Sequence, residues 1–276
     1  RIIGADDLAL LQYTSGSTAD PKGVMVLHRN IVANERAIQI GCNADESLVT
    51  VSWLPMFHDM GLFAGTLLSL YTGGTSVLMA PISFLERPLR WLEAVMRHQG
   101  SCIIGPNFGY ELCATAGFQR TDLNLDLSSL QMAWNGAEPV RAEVLDMFNR
   151  VFSPYGLQQN VLGPCYGLAE ATVMVTGGKR NHQPQVMTLD STSLERGLIS
   201  HFHGDNGQKG KKVVGCGVCY DETSVIIVDP EAMVRSQLDR IGEIWLSGPG
   251  VAEGYWNRSE ETEHTFKAYL ADTKEG

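Results

Sequence analysis

Positive charge is scarce in this chain of 276 residues: Lys and Arg total 21 against 31 Asp and Glu, a formal net charge of −10. Without a sequence-wide basic field there is no bulk attraction for phosphate backbones or anionic membranes, which excludes broad nucleic-acid binding and docking on a charged bilayer. Charged residues of either sign make up only 19% and apolar residues 44%, the reverse of the balance that keeps a chain disordered. Cysteine is too sparse for a disulfide framework in a chain long enough to bury its own core. Cys42, Cys102, Cys113, Cys165, Cys216 and Cys219 sit mostly in apolar or Gly-flanked contexts. They read as reduced thiols behaving like small hydrophobes, in keeping with a cytoplasmic setting. An unbroken membrane-length run is also missing. Residues 60–85 carry no Asp, Glu, Lys or Arg, but Gly73-Gly74 and Pro81 interrupt them. The stretch predicts a buried helix over 61–71, a turn, and a core strand over 75–79 rather than a transmembrane span. No internal repeat and no low-complexity tract is present.

What the chain does have is alternation. Short apolar runs at 8–13, 48–54, 75–79, 102–104 and 130–134 predict strands. Helical patterns separate the later ones, at 61–71, 84–99, 111–118 and 139–152. A further helix is predicted over 28–40, with Ile31, Val32 and Ile38 on its apolar side and Asn34, Glu35 and Arg36 among its polar positions. Pro88 falls in the first turns of the 84–99 helix, and Pro139 suits the first position of its own. Such β–α alternation implies an α/β fold, a mostly parallel sheet flanked by helices. The pattern then changes. Residues 184–212 are polar, with 204–212 a Gly- and Lys-rich loop, and beyond them strands at 224–228 and 243–247 follow each other without a helix between. The expected organisation is an α/β region over 1–178, a polar segment over 179–212, and a smaller β-rich subdomain over 213–276. The chain opens at Arg1 and stops at Gly276 inside a polar stretch, so it reads as a piece of a longer protein.

The densest chemical signal is Tyr13-Thr14-Ser15-Gly16-Ser17-Thr18-Ala19-Asp20-Pro21-Lys22-Gly23. Hydroxyls and bare backbone N–H groups can wrap a phosphate chain, Gly16 permits close approach, and Lys22 adds a positive charge. It differs from a Walker sequence because the Lys precedes the glycine and no Gly-Lys-Ser/Thr closes the loop. It is expected as a loop leading from a strand into a helix. A different pattern, His201-x-His203 followed by Cys216-x-x-Cys219, has a spacing similar to zinc ligands but reads as incidental.

The eleven-residue run resembles the phosphate-binding signature of the adenylate-forming superfamily, and further segments agree with that superfamily in order. Trp53-Leu54-Pro55-Met56-Phe57-His58-Asp59-Met60-Gly61 is similar to the segment lining the acyl pocket. Asn135-Gly136-Ala137-Glu138-Pro139 is similar to the strand end beside adenine, and Tyr166-Gly167-Leu168-Ala169-Glu170-Ala171-Thr172 to the aromatic–Gly–x–x–Glu motif. Gly242-Glu243-Ile244-Trp245 and the run from Ser247 to Trp256 resemble the late β motif. The wording is nearest to the fatty acyl-AMP ligases, and the resemblance spans essentially the whole chain. It implies an acyl-adenylate synthetase-like N-terminal domain, incomplete, with the AMP-binding region over 1–178, an insertion-like segment at 179–212 and the C-terminal lid domain absent. The ribose-binding motif is expected soon after Gly276 and the catalytic lysine of the lid later still.

The same resemblance implies an activity. ATP and Mg²⁺ would serve to convert a fatty acid to fatty acyl-AMP with release of pyrophosphate. The acyl group would then pass to the phosphopantetheine thiol of an acyl carrier protein or a carrier domain of a polyketide or peptide synthase. Both reactants are anionic, so such a site has to neutralise phosphate charge and hold the attack in line. By resemblance, Thr14, Ser15, Gly16, Ser17, Thr18 and Lys22 would hold phosphates, and Gly136, Ala137, Glu138, Tyr166 and Gly167 would surround the nucleotide. Glu170 would be the Mg²⁺ ligand, since a hard cation bridging phosphate oxygens favours carboxylate; Lys22 and Glu170 would carry the catalysis. General acyl-CoA synthetases carry Thr where Ala169 stands, which makes Thr172 the candidate replacement hydroxyl. His58, Asp59, Met60 and Gly61 would belong to the acyl pocket, with no proton transfer assigned to His58. Two other readings stay open: an acyl-CoA synthetase using CoA as acceptor, and a nucleotide- or acyl-binding module without turnover.

Overall fold

The computed structural model describes residues 2–14, 20–120, 122–204 and 209–273. Strand β1 (Leu8–Thr14) pairs antiparallel with β2 (Lys22–Leu27), which brings Thr14 opposite Lys22. The phosphate-type loop therefore joins two strands of a hairpin, not a strand and a helix as expected. Helix α1 (His28–Cys42) starts directly after β2, where the side chain of Asn30 accepts the Leu27 amide at 2.9 Å, and stops at left-handed Asn43. Strand β3 (Val49–Ser52) leads through α2 (Asp59–Leu62), a π-type turn at Phe63–Leu67, and α3 (Leu68–Thr72) into β4 (Thr75–Leu78). Next come α4 (Pro81–Glu86), α5 (Leu89–His98), β5 (Cys102–Pro106), α6 (Asn107–Phe118), β6 (Met132–Gly136), α7 (Ala142–Phe152) and β7 (Leu162–Tyr166). The rest of the chain forms β8 (Thr176–Gly177), β9 (Val186–Asp190), α8 (Ser191–Glu195), β10 (Gly210–Val214), β11 (Val218–Cys219), β12 (Ser224–Asp229), β13 (Val234–Arg235), β14 (Glu243–Ser247) and α9 (Ser259–Phe266).

The central sheet has the order β11-β8-β7-β6-β5-β3-β4 and is parallel from β7 through β4, with β8 and β11 added antiparallel at one edge. This is the mostly parallel sheet predicted from the alternation. Strands β9 and β10 pair with each other, and β13-β12-β14 form a small antiparallel sheet. Every residue of β5 and β6 is buried, which is why these strands read as apolar runs rather than as an alternation. Trp91 of α5 is fully buried and donates its indole N–H to the Val51 carbonyl at 2.9 Å, so a polar atom in the core is satisfied. Its ring meets Trp53 and Phe84 edge-on while those two stack at 3.9 Å. A Cβ on Gly105 would lie 2.9 Å from the Trp91 ring, so β5 needs a glycine there.

The structure corrects several local expectations. The single helix predicted over 84–99 is two, because Pro88 forces Arg87 out of the helical region to φ −152°, ψ 90°. The 139–152 helix begins at Ala142, with Pro139 upstream of it. Residues 75–79 are not a core strand: β4 is the outermost strand of the sheet and Leu78 is exposed. The loop expected over 204–212 ends in β10, whose exposed lysines hide the strand from any hydrophobic pattern. The expected boundary at 212/213 thus falls inside β10, and β11 returns to the edge of the main sheet. On α1, Asn34 and Glu35 are buried and Val32 is exposed, opposite to the predicted faces. All six cysteines are free. Among the described residues, no helix is long and apolar enough to cross a membrane.

Candidate active site

The site is built around the turn that follows β7. At Gly167 the chain folds back so tightly that a Cβ there would lie 1.7 Å from the Val173 carbonyl oxygen. A short 3-10 turn over Ala169–Ala171 then presents Glu170, and Thr172 takes a positive φ of 69°. Strain of this kind persists only when neighbours over-determine it, and here they do. The Thr172 hydroxyl donates to the Gly250 carbonyl at 2.7 Å, and the Ala252 amide donates to the Glu170 carbonyl at 2.9 Å. From α1, the Asn34 amide donates to the carbonyls of Ala171 and Met174 at 3.1 and 2.9 Å and accepts the Met174 N–H at 3.1 Å. One turn earlier, Asn30 donates to the carbonyls of Pro249 and Val251, each at 2.8 Å. Two asparagines spaced four apart on one helix therefore clamp the Glu170 turn and the 249–251 loop side by side.

The side chain of Glu170 is held by that loop's continuation. The Tyr255 hydroxyl donates to Glu170 Oε1 at 2.6 Å. Tyr255 is buried and forms a bridge to Val24 of β2. Burial first, and then the Glu170 carboxylate, hold its phenol well above the ordinary range, so it stays a donor. Lys22 Nζ lies 4.9 Å from the centroid of the Tyr255 ring and 2.7 Å from Glu261 Oε2 on α9. The hydrogen bond from Lys22 is the main reason that the Glu261 carboxyl sits below its usual range.

A cavity of about 460 Å³ opens beside this turn. Part of its wall is apolar, from Ile38, Met60, Ala64, Ile104 and Trp134; part is polar, from Gln12, Thr14, His58, Asp59, Tyr166 and Glu170. None of the described residues lining it is Lys or Arg. Burial, reinforced by Glu170, raises the Tyr166 phenol above its ordinary range. His58 Nδ1 lies 2.8 Å from Asp59 Oδ1 and 3.2 Å from the Met60 nitrogen, while the Met60 N–H also reaches Asp59 Oδ1 at 2.6 Å. The shorter contact turns the imidazole N–H to the carboxylate, which raises the His58 pKa above 6.5 against the opposing effect of burial.

Of the residues singled out in the sequence, Thr14, His58, Asp59, Met60, Ala137, Tyr166, Gly167 and Glu170 meet around this cavity. Ser15, Gly16, Ser17 and Thr18 lie outside the described residues. The structure places others elsewhere. Thr172 is fully buried with its hydroxyl committed to Gly250, which removes it as the substitute hydroxyl for phosphate. The Glu138 carboxylate accepts the Phe108 amide at 2.6 Å and so closes the start of α6, away from the cavity wall. Gly136 is needed for strand packing, since a Cβ would lie 2.6 Å from Cys165 Sγ, and Gly61 because one would lie 2.3 Å from the Pro55 carbonyl. Lys22 is outside the wall and already paired.

Sequence reasoning missed Asn30, Asn34 and Tyr255, and also Gln12, whose side chain donates to the Phe57 carbonyl at 2.9 Å and ties β1 to the His58 segment. The Asn-x-x-x-Asn repeat on a helix was the one available signal, because that spacing puts both amides on one face. No group of three or more His, Cys, Asp or Glu able to hold a metal exists among the described residues, so the His201, His203, Cys216, Cys219 pattern does not converge. The Glu170 carboxylate, steadied through one oxygen, fits a different kind of ion: Mg²⁺, which would arrive on phosphates and take one or two protein carboxylates.

Fold and site together define an adenylate-forming class, and residues 1–256 match the family described as AMP-binding enzyme, to which the chain belongs. It is 42% identical over 275 residues to the medium-chain-fatty-acid–acyl-carrier-protein ligase JamA of Moorena producens, covering 99% of this chain and 46% of that protein. It is 37% identical over 271 residues to 4-hydroxyphenylalkanoate adenylyltransferase of Mycobacterium tuberculosis, covering 97% of this chain and 43% of that protein. Among solved structures, the fatty acyl-adenylate ligase of Legionella pneumophila in complex with acyl adenylate and pyrophosphate superposes with a TM-score of 0.88 at 38% identity. That match covers 96% of this chain and 46% of the other. The chain spans about half the length of the curated relatives it matches.

Proposed function

We propose that the protein carrying this chain activates a fatty acid with ATP to fatty acyl-AMP, releasing pyrophosphate, and passes the acyl group to the phosphopantetheine thiol of an acyl carrier protein. The observation that carries this reading is one cavity whose wall is hydrocarbon on Ile38, Met60, Ala64, Ile104 and Trp134 and polar at Thr14, Tyr166 and Glu170. An apolar tail and a charged nucleotide can share it, as a reaction between a fatty carboxylate and a phosphate requires. Carrier protein is favoured as acceptor because the ligase JamA, at 42% identity, is named for one.

In this reading Tyr166 stacks on adenine, and Ala137 and Gly167 present backbone to the nucleotide. Thr14 and the loop after it contact the phosphates, and the segment from His58 to Met60 borders the acyl chain. Glu170 would hold Mg²⁺, which supplies neutralisation of phosphate charge when bound. With no Lys or Arg in the described wall, that neutralisation has few local sources. The Lys22 ammonium is paired with Glu261, a contact for which a phosphate would compete. Both side chains are partly exposed, so the pair is weak and a phosphate can compete with the carboxylate.

Fatty-acid-dependent ATP–pyrophosphate exchange by the full-length protein tests the proposal. Exchange with a medium-chain acid is expected, falling about 100-fold in Glu170→Gln, the scale of losing one charge-stabilising group. Nucleotide binding without exchange at any chain length would favour a binding module. Release of acyl-CoA on adding CoA, with no transfer to a carrier protein, would reassign the acceptor.

A further inference from the structure

The Glu170 carboxylate is not placed by its own turn alone. Its Oε1 receives the Tyr255 hydroxyl from 85 residues further along the chain. Tyr255 is itself fixed from three sides. Its backbone bridges to Val24, its amide donates to Thr262 Oγ1 at 2.9 Å, and its ring meets Phe266 edge-on at 5.1 Å. The ammonium of Lys22 lies 4.9 Å from the centroid of the same ring and pairs with Glu261. Thr262, Phe266 and Glu261 all belong to α9, so one short helix grips the residue that grips Glu170.

We propose that Tyr255 is the positioning residue for Glu170, fixing Oε1 by its hydroxyl so that the other carboxylate oxygen is available to a divalent cation, and that α9 holds Tyr255 in place. The inference rests on Glu170 being the cation-holding carboxylate. Groups that orient metal ligands from behind commonly matter nearly as much as the ligands themselves. A phenol suits the task because it remains protonated at neutral pH and donates a single directed hydrogen bond to an ionised acceptor.

The test is Mn²⁺ binding, followed by electron paramagnetic resonance, to the full-length protein saturated with ATP. Tyr255→Phe removes one oxygen atom and is expected to weaken Mn²⁺ binding about tenfold. Glu170→Gln should weaken it at least as much, and adding Tyr255→Phe to Glu170→Gln should change nothing further. In steady state, Tyr255→Phe should raise the Mg²⁺ concentration needed for half-maximal rate, and excess Mg²⁺ should restore kcat; a merely structural role would not respond to the cation. Should Tyr255→Phe not fold, Thr262→Val removes the oxygen that holds the Tyr255 amide and should move Mn²⁺ affinity in the same direction by a smaller factor. Unchanged Mn²⁺ affinity in Tyr255→Phe beside a loss in Glu170→Gln overturns the role of Tyr255 and leaves Glu170 intact. Unchanged affinity in Glu170→Gln overturns the reading of Glu170 itself.

Discussion

Strands β5 and β6 are buried along their whole length and packed against aromatic rings, whereas the 167–174 turn is pinned by side-chain hydrogen bonds to partners far away in sequence. In the strands the polar backbone pairs with neighbouring strands, and side chains have only to fill space. At the turn no ladder exists, so Asn34 and Thr172 satisfy backbone groups one at a time and hold Thr172 at positive φ. The difference teaches that the two regions fail differently. Lost volume in the sheet is spread over the whole fold, while a lost amide at the turn loosens one loop and the chemistry it carries.

The widest separation between them is expected from Trp91→Ala. It removes a fully buried indole, its contacts with Trp53 and Phe84 and its hydrogen bond to Val51, at about 3–5 kcal/mol. Urea unfolding should show the whole α/β region losing stability together; a loss confined to the loops would contradict the comparison. Asn34→Ala should cost less, about 2–3 kcal/mol, because it strands buried backbone groups of Ala171 and Met174 without emptying the core. Its signature is local. Hydrogen exchange should quicken across 170–175 and leave β5 and β6 protected, with pyrophosphate exchange falling further than stability alone explains. Equal loosening of β5 in this variant would mean that the turn and the sheet unfold as one unit.

The same contrast explains what could be read from the sequence. The mostly parallel sheet was legible because β5 and β6 are continuous apolar runs bounded by turns and helices. The ring of Thr14, His58, Tyr166 and Glu170 was legible through motifs in which the side chain and its chemistry lie close together in the chain. The supports of the turn were not. Asn34 sits amid polar residues on a helix and reads as solvent-facing until its partners, 137 and 140 residues away, are known. Tyr255 lies within a motif, but nothing near it in sequence points to a carboxylate at residue 170. Thr172 shows the converse: a hydroxyl beside a motif suggests a phosphate contact, and the fold instead gives it to the Gly250 carbonyl. Strand β4 reads as a core strand because an apolar run cannot reveal whether one strand or two flank it.

Glu35, next to Asn34 on α1, belongs to neither regime and supplies the smallest effect. It is 1% exposed, and both carboxyl oxygens lack a hydrogen-bond partner among the described residues. Burial alone pushes its pKa up to about 9. The folded protein thus keeps Glu35 protonated across the range in which the unfolded chain ionises it, from an ordinary carboxyl value near 4.5 upward. Because the unfolded state releases the proton first, stability should decline as pH rises from about 4.5 and level off near 9. Glu35→Gln cannot titrate, so it should remove that slope and gain about 2 kcal/mol at pH 6, with the gap widening toward alkaline pH. Urea unfolding at pH 5, 6 and 8 measures this directly. If the two proteins run parallel across those values, the Glu35 carboxyl has a partner or water when folded, and the dry region stops short of α1.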